Sequence, residues 1–277
     1  MKLTLGFSPC PNDTFIFEAM VHSRVDTEGI DYDWFLADVE ELNHRALEGS
    51  VDITKMSYHA YAYAAPNYLL LDSGSALGRS NGPLVVSRHK IYPDELKEVT
   101  IAIPGKYTTA NLLFSIFWPD ATRKREYLFS DIPEAVFTGE ADAGLIIHET
   151  RFTYKDLGLQ MVADTGDYWE KMTGMPIPLG GIVVNRKVDE NVALKVNRTI
   201  RRSLEYANAS PGASLEFIRK NAQEMDYEVM KEHIELFVNR FTLSLGSEGR
   251  KAVEKLYSIA GEKKVIPDLP GTIFLIR

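Results

Sequence analysis

Short apolar runs alternate with helix-forming segments over the first two-thirds of the chain, and this alternation limits what the chain can fold into. Residues 3–7, 32–36 and 51–54 are strand-length apolar runs separated by segments of helical periodicity. A second set of such units begins near residue 99, and the chain beyond residue 190 is nearly all helical. Repeated β-α-β units predict an α/β fold with mostly parallel sheets covered by helices.

The two sets of units predict two lobes. Apolar segments 83–86 and 180–184 bracket the middle set, so they are the expected crossings between the lobes. We therefore expect a larger lobe of residues 1–98 plus 180–277, on which the helical tail packs, and a smaller lobe of residues 99–179. Two α/β lobes joined by two crossings form a ligand cleft between the carboxyl ends of their strands.

Composition excludes several classes of function. The 277 residues include 39 acidic and 31 basic side chains, and the formal net charge of −8 argues against binding to nucleic acid or to an anionic membrane. The single cysteine, Cys10, suits a reducing compartment, and the first residues lack the apolar run of a signal peptide. We predict a cytoplasmic protein with a small-molecule partner, and its aromatic content is compatible with a homodimer.

Common cofactor motifs are missing from the sequence. Neither the glycine pattern of dinucleotide-binding loops nor that of phosphate-binding loops occurs, and the nucleophile elbow G-x-S-x-G is absent. His148 and Glu149 begin like the zinc motif H-E-x-x-H, but Phe152 occupies the second ligand position. The sequence therefore predicts neither a metal nor a redox cofactor.

His148 is the strongest candidate for chemistry. It follows the apolar run 143–147, which has the character of a buried strand, so it should project at the carboxyl end of that strand. Imidazole titrates near neutrality and commonly acts as a general base. The alternative is a strand-end histidine bonded to a loop carbonyl. The other histidines are expected in surface or capping roles: His22, His44, His59, His89 and His233.

Two junctions between a strand and a helix could bind a ligand. Segment 104–111 places Thr109 and Ala110 at a helix start, where free backbone N–H groups attract anions, although an ordinary helix cap explains the same residues. The other junction offers an ammonium group, an apolar wall and a hydroxyl, from Lys55, Met56 and Ser57 respectively. Together the two junctions predict polar lips on both sides of the cleft.

The segment SPCPNDTF, residues 8–15, follows the first predicted strand. Its Cys10 has no basic neighbour in the sequence to lower the thiol pKa, so a packed thiol is expected rather than a nucleophile. Asn12 and Asp13 are expected to cap the following helix. Asn43, on the next helix, could reach the cleft or face solvent.

Seven stretches of this sequence match one known family, in the same order and spread over nearly the whole chain. They are GFSPCPNDTFIF, ADVEELNHRALEG, DITKMSYHAYA, ALGRSNGPLVV, GKYTTA, EADAGLIIHETRFTY and LGGIVVNR. On these stretches the chain resembles the 1,4-dihydroxy-6-naphthoate synthases of menaquinone biosynthesis. The resemblance implies a two-lobe, type II periplasmic-binding-protein-like fold with a ligand cleft between the lobes. This fold agrees with the architecture predicted from the residues alone.

The resemblance also implies a reaction and its residues. The substrate would be cyclic dehypoxanthine futalosine, and a carbon-carbon lyase reaction without a cofactor would give 1,4-dihydroxy-6-naphthoate. By motif position, His148 would be the proton acceptor. The substrate-binding residues would be Lys55, Met56, Ser57, Thr109 and Ala110.

Three rival functions share this fold class. A solute-binding protein would usually be exported or lipid-anchored, and the N-terminal sequence shows neither feature. Chorismate dehydratase, of the same pathway, is disfavoured by the segments SPCPNDTF and GLIIHE. A pyrimidine-precursor enzyme that consumes its own histidine would need a different histidine context. Product analysis with the cyclic futalosine derivative separates all of these.

Overall fold

Two β-sheets organise the computed structural model, which describes residues 1–222 and 226–275. The first sheet consists of β1 (Lys2–Phe7), β2 (Asp31–Leu36), β3 (Ile53–Ser57), β4 (Tyr68–Leu70), β5 (Ala76–Gly78) and β11 (Ile177–Asn185). Its strand order is β2-β1-β3-β11-β4, and β5 also pairs with β11. The strands β1, β2 and β3 are parallel, whereas β11 runs antiparallel to β3, β4 and β5.

The second sheet consists of β6 (Leu84–Ser87), β7 (Ile101–Ile103), β8 (Lys124–Glu126), β9 (Ala143–Ile146) and β10 (Gln160–Asp164). Its order is β10-β6-β9-β7-β8. Here β7 is parallel to β8 and β9, and β6 runs antiparallel to β9 and β10. In each sheet one strand runs against the others, so the expected α/β class with mostly parallel strands is confirmed.

Helices cover both sheets. They are α1 (Pro11–Val21), α2 (Val39–Leu47), α3 (Tyr58–Ala64), α4 (Thr109–Phe117), α5 (Ile132–Thr138), α6 (Thr150–Thr153), α7 (Thr165–Thr173), α8 (Glu190–Ala209), α9 (Leu215–Asn221), α10 (Tyr227–Phe237), α11 (Arg240–Leu243) and α12 (Gly246–Glu262). Within the described ranges, no helix combines the length and the apolar character needed to cross a bilayer.

The boundary between the lobes differs from the prediction. Strand β6 pairs with β9 and β10, so residues 84–87, expected in the larger lobe, belong to the second sheet. The chain crosses from the first sheet to the second in segment 79–83 and returns in segment 165–176. The predicted boundary near residue 99 coincides with the start of a new β-α-β unit. It leaves out the antiparallel strand β6, which precedes this unit and belongs to the same sheet.

The first helix begins earlier than expected. Pro11 occupies its first turn and Cys10 is the capping position, which suits proline because its missing N–H would be unpaired there in any case. Asp13 lies inside the first turn and is not the cap, contrary to the sequence expectation. Its buried carboxylate is therefore available for another partner, described below.

The helical tail packs mainly on the first lobe, as expected. Helix α8 lies along α1, and α12 contacts β11. A buried apolar cluster joins the two layers, with Leu5 and Phe17 packed near Val196 and Leu204. The tail also reaches the cleft, because Phe237 at the end of α10 lines it.

Candidate active site

A cleft lies between the two sheets. Its walls come from the residues that follow β1 and β9, from the last residues of β3, from the start of α4 and from the crossing segment 79–83. Carboxyl ends of parallel strands meet at one edge of a sheet, so these side chains converge although they are distant in sequence. The structure brings all six predicted site residues to this cleft: Lys55, Met56, Ser57, Thr109, Ala110 and His148.

A buried ion pair forms part of the cleft wall on the side of the first lobe. Lys55 Nζ lies 2.8 Å from Asp13 Oδ1, and the two residues are 6 % and 1 % exposed. The carboxylate of Asp13 also accepts hydrogen bonds from the backbone N–H and hydroxyl of Ser8 and from the amide of Asn12. Lys55 therefore faces the cleft with its charge already balanced, which keeps a buried ammonium group tolerable.

Asn43 fixes the position of Ser57. Its side-chain oxygen accepts from the Ser57 backbone N–H at 2.9 Å, and its Nδ2 donates to Ser57 Oγ at 3.1 Å. Asn43 is fully buried on α2, which excludes the solvent-facing alternative that the sequence left open; it does not line the cleft itself but contacts the lining residue Ser57. The same amide nitrogen donates to Glu40. Ser57 thus enters the cleft wall as a hydroxyl held by a packed amide.

The second lobe contributes the start of α4. Thr108 caps this helix by accepting from the Asn111 N–H, and Thr109 and Ala110 begin its first turn. The hydroxyl of Thr109 donates to the carbonyl of Leu179 on β11 at 2.5 Å, which ties the lobes together across the cleft. The first N–H groups of a helix have no partner within the helix, so this edge can bind an anionic group.

His148 follows β9 in a left-handed backbone conformation, with φ of 57°. For a residue other than glycine this conformation costs on the order of 1 kcal/mol, and such strain often accompanies functional sites. The ring packs against Phe129, with centroids 4.8 Å apart. Burial lowers the pKa of His148 to about 4, although the carboxylate of Asp13 opposes this shift. The imidazole is therefore neutral near pH 7.

His233, on α10, stacks on His148. The two ring centroids are 6.0 Å apart and the ring planes differ by 11°. His233 Nε2 lies 2.9 Å from Asn12 Oδ1, and burial, together with His148 and Lys55, lowers its pKa well below the ordinary value. The expected surface or capping role for His233 is wrong, because this side chain is fully buried. His59, on α3, is also buried, contrary to the same expectation.

Cys10, His148 and Glu149 form a cluster of possible metal ligands. Their ligand atoms lie within 4.8 Å of one another. Burial raises the pKa of the Cys10 thiol well above its usual value, and the charge of Glu149 adds to this effect. Metal binding requires the thiolate, so a metal ion bound here would have to displace the proton of this buried thiol. Cys10 is a packed thiol, in line with the expectation from sequence.

Arg151 holds the two crossing segments together. Its guanidinium donates to the carbonyl of Gly82 in the first crossing and to Asp164, 3.1 Å away, before the second. Gly82 also lies against Gly166, where an added Cβ would come within 2.3 Å of the Gly166 nitrogen. The cleft wall at segment 81–83 is therefore fixed by backbone contact as well as by the arginine.

The fold and the cleft define a class of protein. Two α/β lobes, two crossings and a ligand cleft between strand ends are the architecture of periplasmic binding proteins. The alkanesulfonate-binding protein of Xanthomonas axonopodis pv. citri matches it with a TM-score of 0.73 at 13 % identity, over 96 % of this chain and 94 % of that one. This likeness concerns the fold, and the expected two-lobe architecture is confirmed.

The chain belongs to the family described as menaquinone biosynthesis, which it matches over residues 3–262. It is 44 % identical to a 1,4-dihydroxy-6-naphthoate synthase of Thermus thermophilus over 273 residues, which is 99 % of both chains. A synthase of the same name from Streptomyces coelicolor is 39 % identical over 96 % of this chain and 95 % of that one. The X-ray structure of a protein from Archaeoglobus fulgidus matches with a TM-score of 0.91 at 35 % identity, over 96 % and 98 % of the two chains. The resemblance predicted from the sequence is confirmed.

Proposed function

We propose that this protein is a 1,4-dihydroxy-6-naphthoate synthase, a lyase that converts cyclic dehypoxanthine futalosine to 1,4-dihydroxy-6-naphthoate without a cofactor. The observation that carries the proposal is the 44 % identity to a synthase of that name along 99 % of both chains. The cleft supports it, because polar and apolar side chains from both lobes line it, as in sites that bind small molecules.

In this proposal both lobes contribute groups that bind the substrate. The helix start at Thr109 and Ala110 would receive its carboxylate, because unpaired N–H groups and the positive helix end favour an anion there. Ser57 would hydrogen-bond the ligand from the first lobe, and Met56 would supply apolar contact. Lys55 would lend a nearby positive charge, moderated by Asp13.

His148 would accept the proton. Its imidazole is neutral at physiological pH and lies at the cleft edge, and both properties are required of a general base. Negative charge of a bound substrate, where it lies close to the ring, would raise the pKa of His148 toward the working pH. Proton removal would trigger carbon-carbon bond cleavage and expulsion of the sugar-derived fragment, and aromatisation of the bicycle would drive the reaction forward.

Incubation with cyclic dehypoxanthine futalosine, followed by mass spectrometry of the products, tests the proposal. The wild-type protein should release the dihydroxynaphthoate. His148→Asn should lose turnover by a factor of about 10² to 10⁴ while keeping substrate affinity. His89→Asn is the matched control, because that histidine is exposed and outside the cleft. Recovery of the compound unchanged from the wild-type protein would indicate a binding protein and refute the proposal.

A further inference from the structure

Asn81 is a buried amide whose hydrogen-bonding groups are unused. It lies in the first crossing segment, lines the cleft and is only 2 % exposed. Within residues 1–222 and 226–275, neither its Oδ1 nor its Nδ2 has a hydrogen-bond partner. Buried amides in proteins are nearly always paired, so this one calls for a partner of another kind.

The surroundings of Asn81 hold it in place. The next residue, Gly82, is fixed by the guanidinium of Arg151 and by backbone contact with Gly166. On the other side Gly78 leaves room for the amide, since a Cβ added there would lie 2.7 Å from Asn81 Nδ2. The structure thus maintains a costly amide at a rigid point of the cleft wall.

We infer that Asn81 binds a hydroxyl group on the sugar-derived ring of the substrate, an inference that rests on the proposed function. The amide offers an acceptor oxygen and a donor nitrogen side by side. A hydroxyl group both donates and accepts, so it can satisfy this pair, whereas a carboxylate can only accept. The groups suited to a carboxylate lie elsewhere in the cleft, at Lys55 and at the start of α4.

The test compares substrate with a ligand that has no hydroxyl groups. Asn81→Leu keeps the approximate size of the side chain and removes both polar atoms. It should raise KM for cyclic dehypoxanthine futalosine about 10- to 100-fold, because two hydrogen bonds to the substrate are lost. The inhibition constant of 2-naphthoate, which carries only the bicycle and the carboxylate, should stay within about twofold of wild type.

Thermal unfolding separates binding from a structural role. If the amide serves the ligand, the melting temperature of Asn81→Leu should equal or exceed that of wild type, because an unpaired buried polar group has been replaced by an apolar one. Asn81→Ala provides a second variant with the same expected split between KM and inhibition constant. Arg79→Ala is the control for disturbance of the crossing segment, since this exposed side chain lies two residues away and outside the cleft.

Two results would overturn the assignment: a KM within twofold of wild type in both Asn81 variants, or equal weakening of substrate and 2-naphthoate together with a lowered melting temperature. Failure of the wild-type protein to convert the substrate contradicts the proposed function itself. Conversion by wild type with unaltered kinetics in the Asn81 variants contradicts only the role of Asn81.

Discussion

Removal of one partner of the buried ion pair between Lys55 and Asp13 should strongly lower the free energy of unfolding, and substitution measures this cost. Asp13 is 1 % exposed and accepts from Lys55 Nζ at 2.8 Å, from Ser8 Oγ at 2.7 Å and from Asn12 Nδ2 at 2.9 Å. Lys55→Met removes the only cation in this set and leaves a buried carboxylate held by neutral donors. Loss of one partner of a buried pair costs about 3–5 kcal/mol.

Urea unfolding followed by circular dichroism measures this cost, provided that the dependence on urea concentration is unchanged. The double variant Asp13→Asn with Lys55→Met should recover much of the loss, because neither charge is then left alone. Lys2→Met is the matched control. Lys2 pairs with Asp33 at 3.1 Å on the same sheet, but their side chains are 66 % and 61 % exposed, so no measurable change is expected. A loss below about 1 kcal/mol for Lys55→Met, or a double variant as unstable as the sum of the single ones, would refute the reasoning.

Three further outcomes follow from the site. With neutral His148 as the base, kcat/KM should stay constant from pH 8 to about 5. It should fall as the pH approaches the His148 pKa of about 4, because the protonated ring cannot accept a proton. An inflection of kcat/KM above pH 6.5 would contradict this assignment. Asn43→Ala should raise KM about tenfold because Ser57 loses both hydrogen bonds to the amide, whereas the exposed Asn191→Ala should not; equal KM values for the two variants would contradict the positioning role. Burial lowers the pKa of His59 to about 4, against 6.5 when unfolded, so the unfolded state takes up a proton first as the pH falls. Stability should therefore drop between pH 6.5 and 4, by up to about 3 kcal/mol from this group, and urea unfolding of His59→Gln should show a smaller drop; an identical drop would count against a neutral buried His59.

The sequence contains enough information to locate the principal cleft residues. His148, Lys55 and Thr109 each follow a short apolar run, and the carboxyl ends of such strands gather at one place in an α/β fold. The two-lobe division follows from the same pattern. The position of the lobe boundary does not, because β6 is an antiparallel strand and periodicity carries no sign of strand direction.

Residues whose roles depend on distant contacts could not be predicted. His233 meets Asn12 across 221 positions of sequence, and only the packing of α10 over the cleft brings them together. Asp13 has the local signature of a helix cap, but the helix begins at Pro11, and the carboxylate pairs instead with Lys55. Asn81 lies in a stretch whose glycines at positions 74, 78 and 82 give it the pattern of a flexible loop. In the structure this stretch contains strand β5 and the first crossing segment.

The place of β11 between β3 and β4 has a consequence for the newly made chain. The strands of the second sheet come from the uninterrupted stretch 84–164, whereas the first sheet receives its inner strand only when residues 177–185 emerge from the ribosome. Until then β3 and β4 lack their common neighbour, and the edge of β3 is open to wrong pairing. The second lobe can therefore assemble early, whereas the sheet of the first lobe can become continuous only after residues 177–185 have been made.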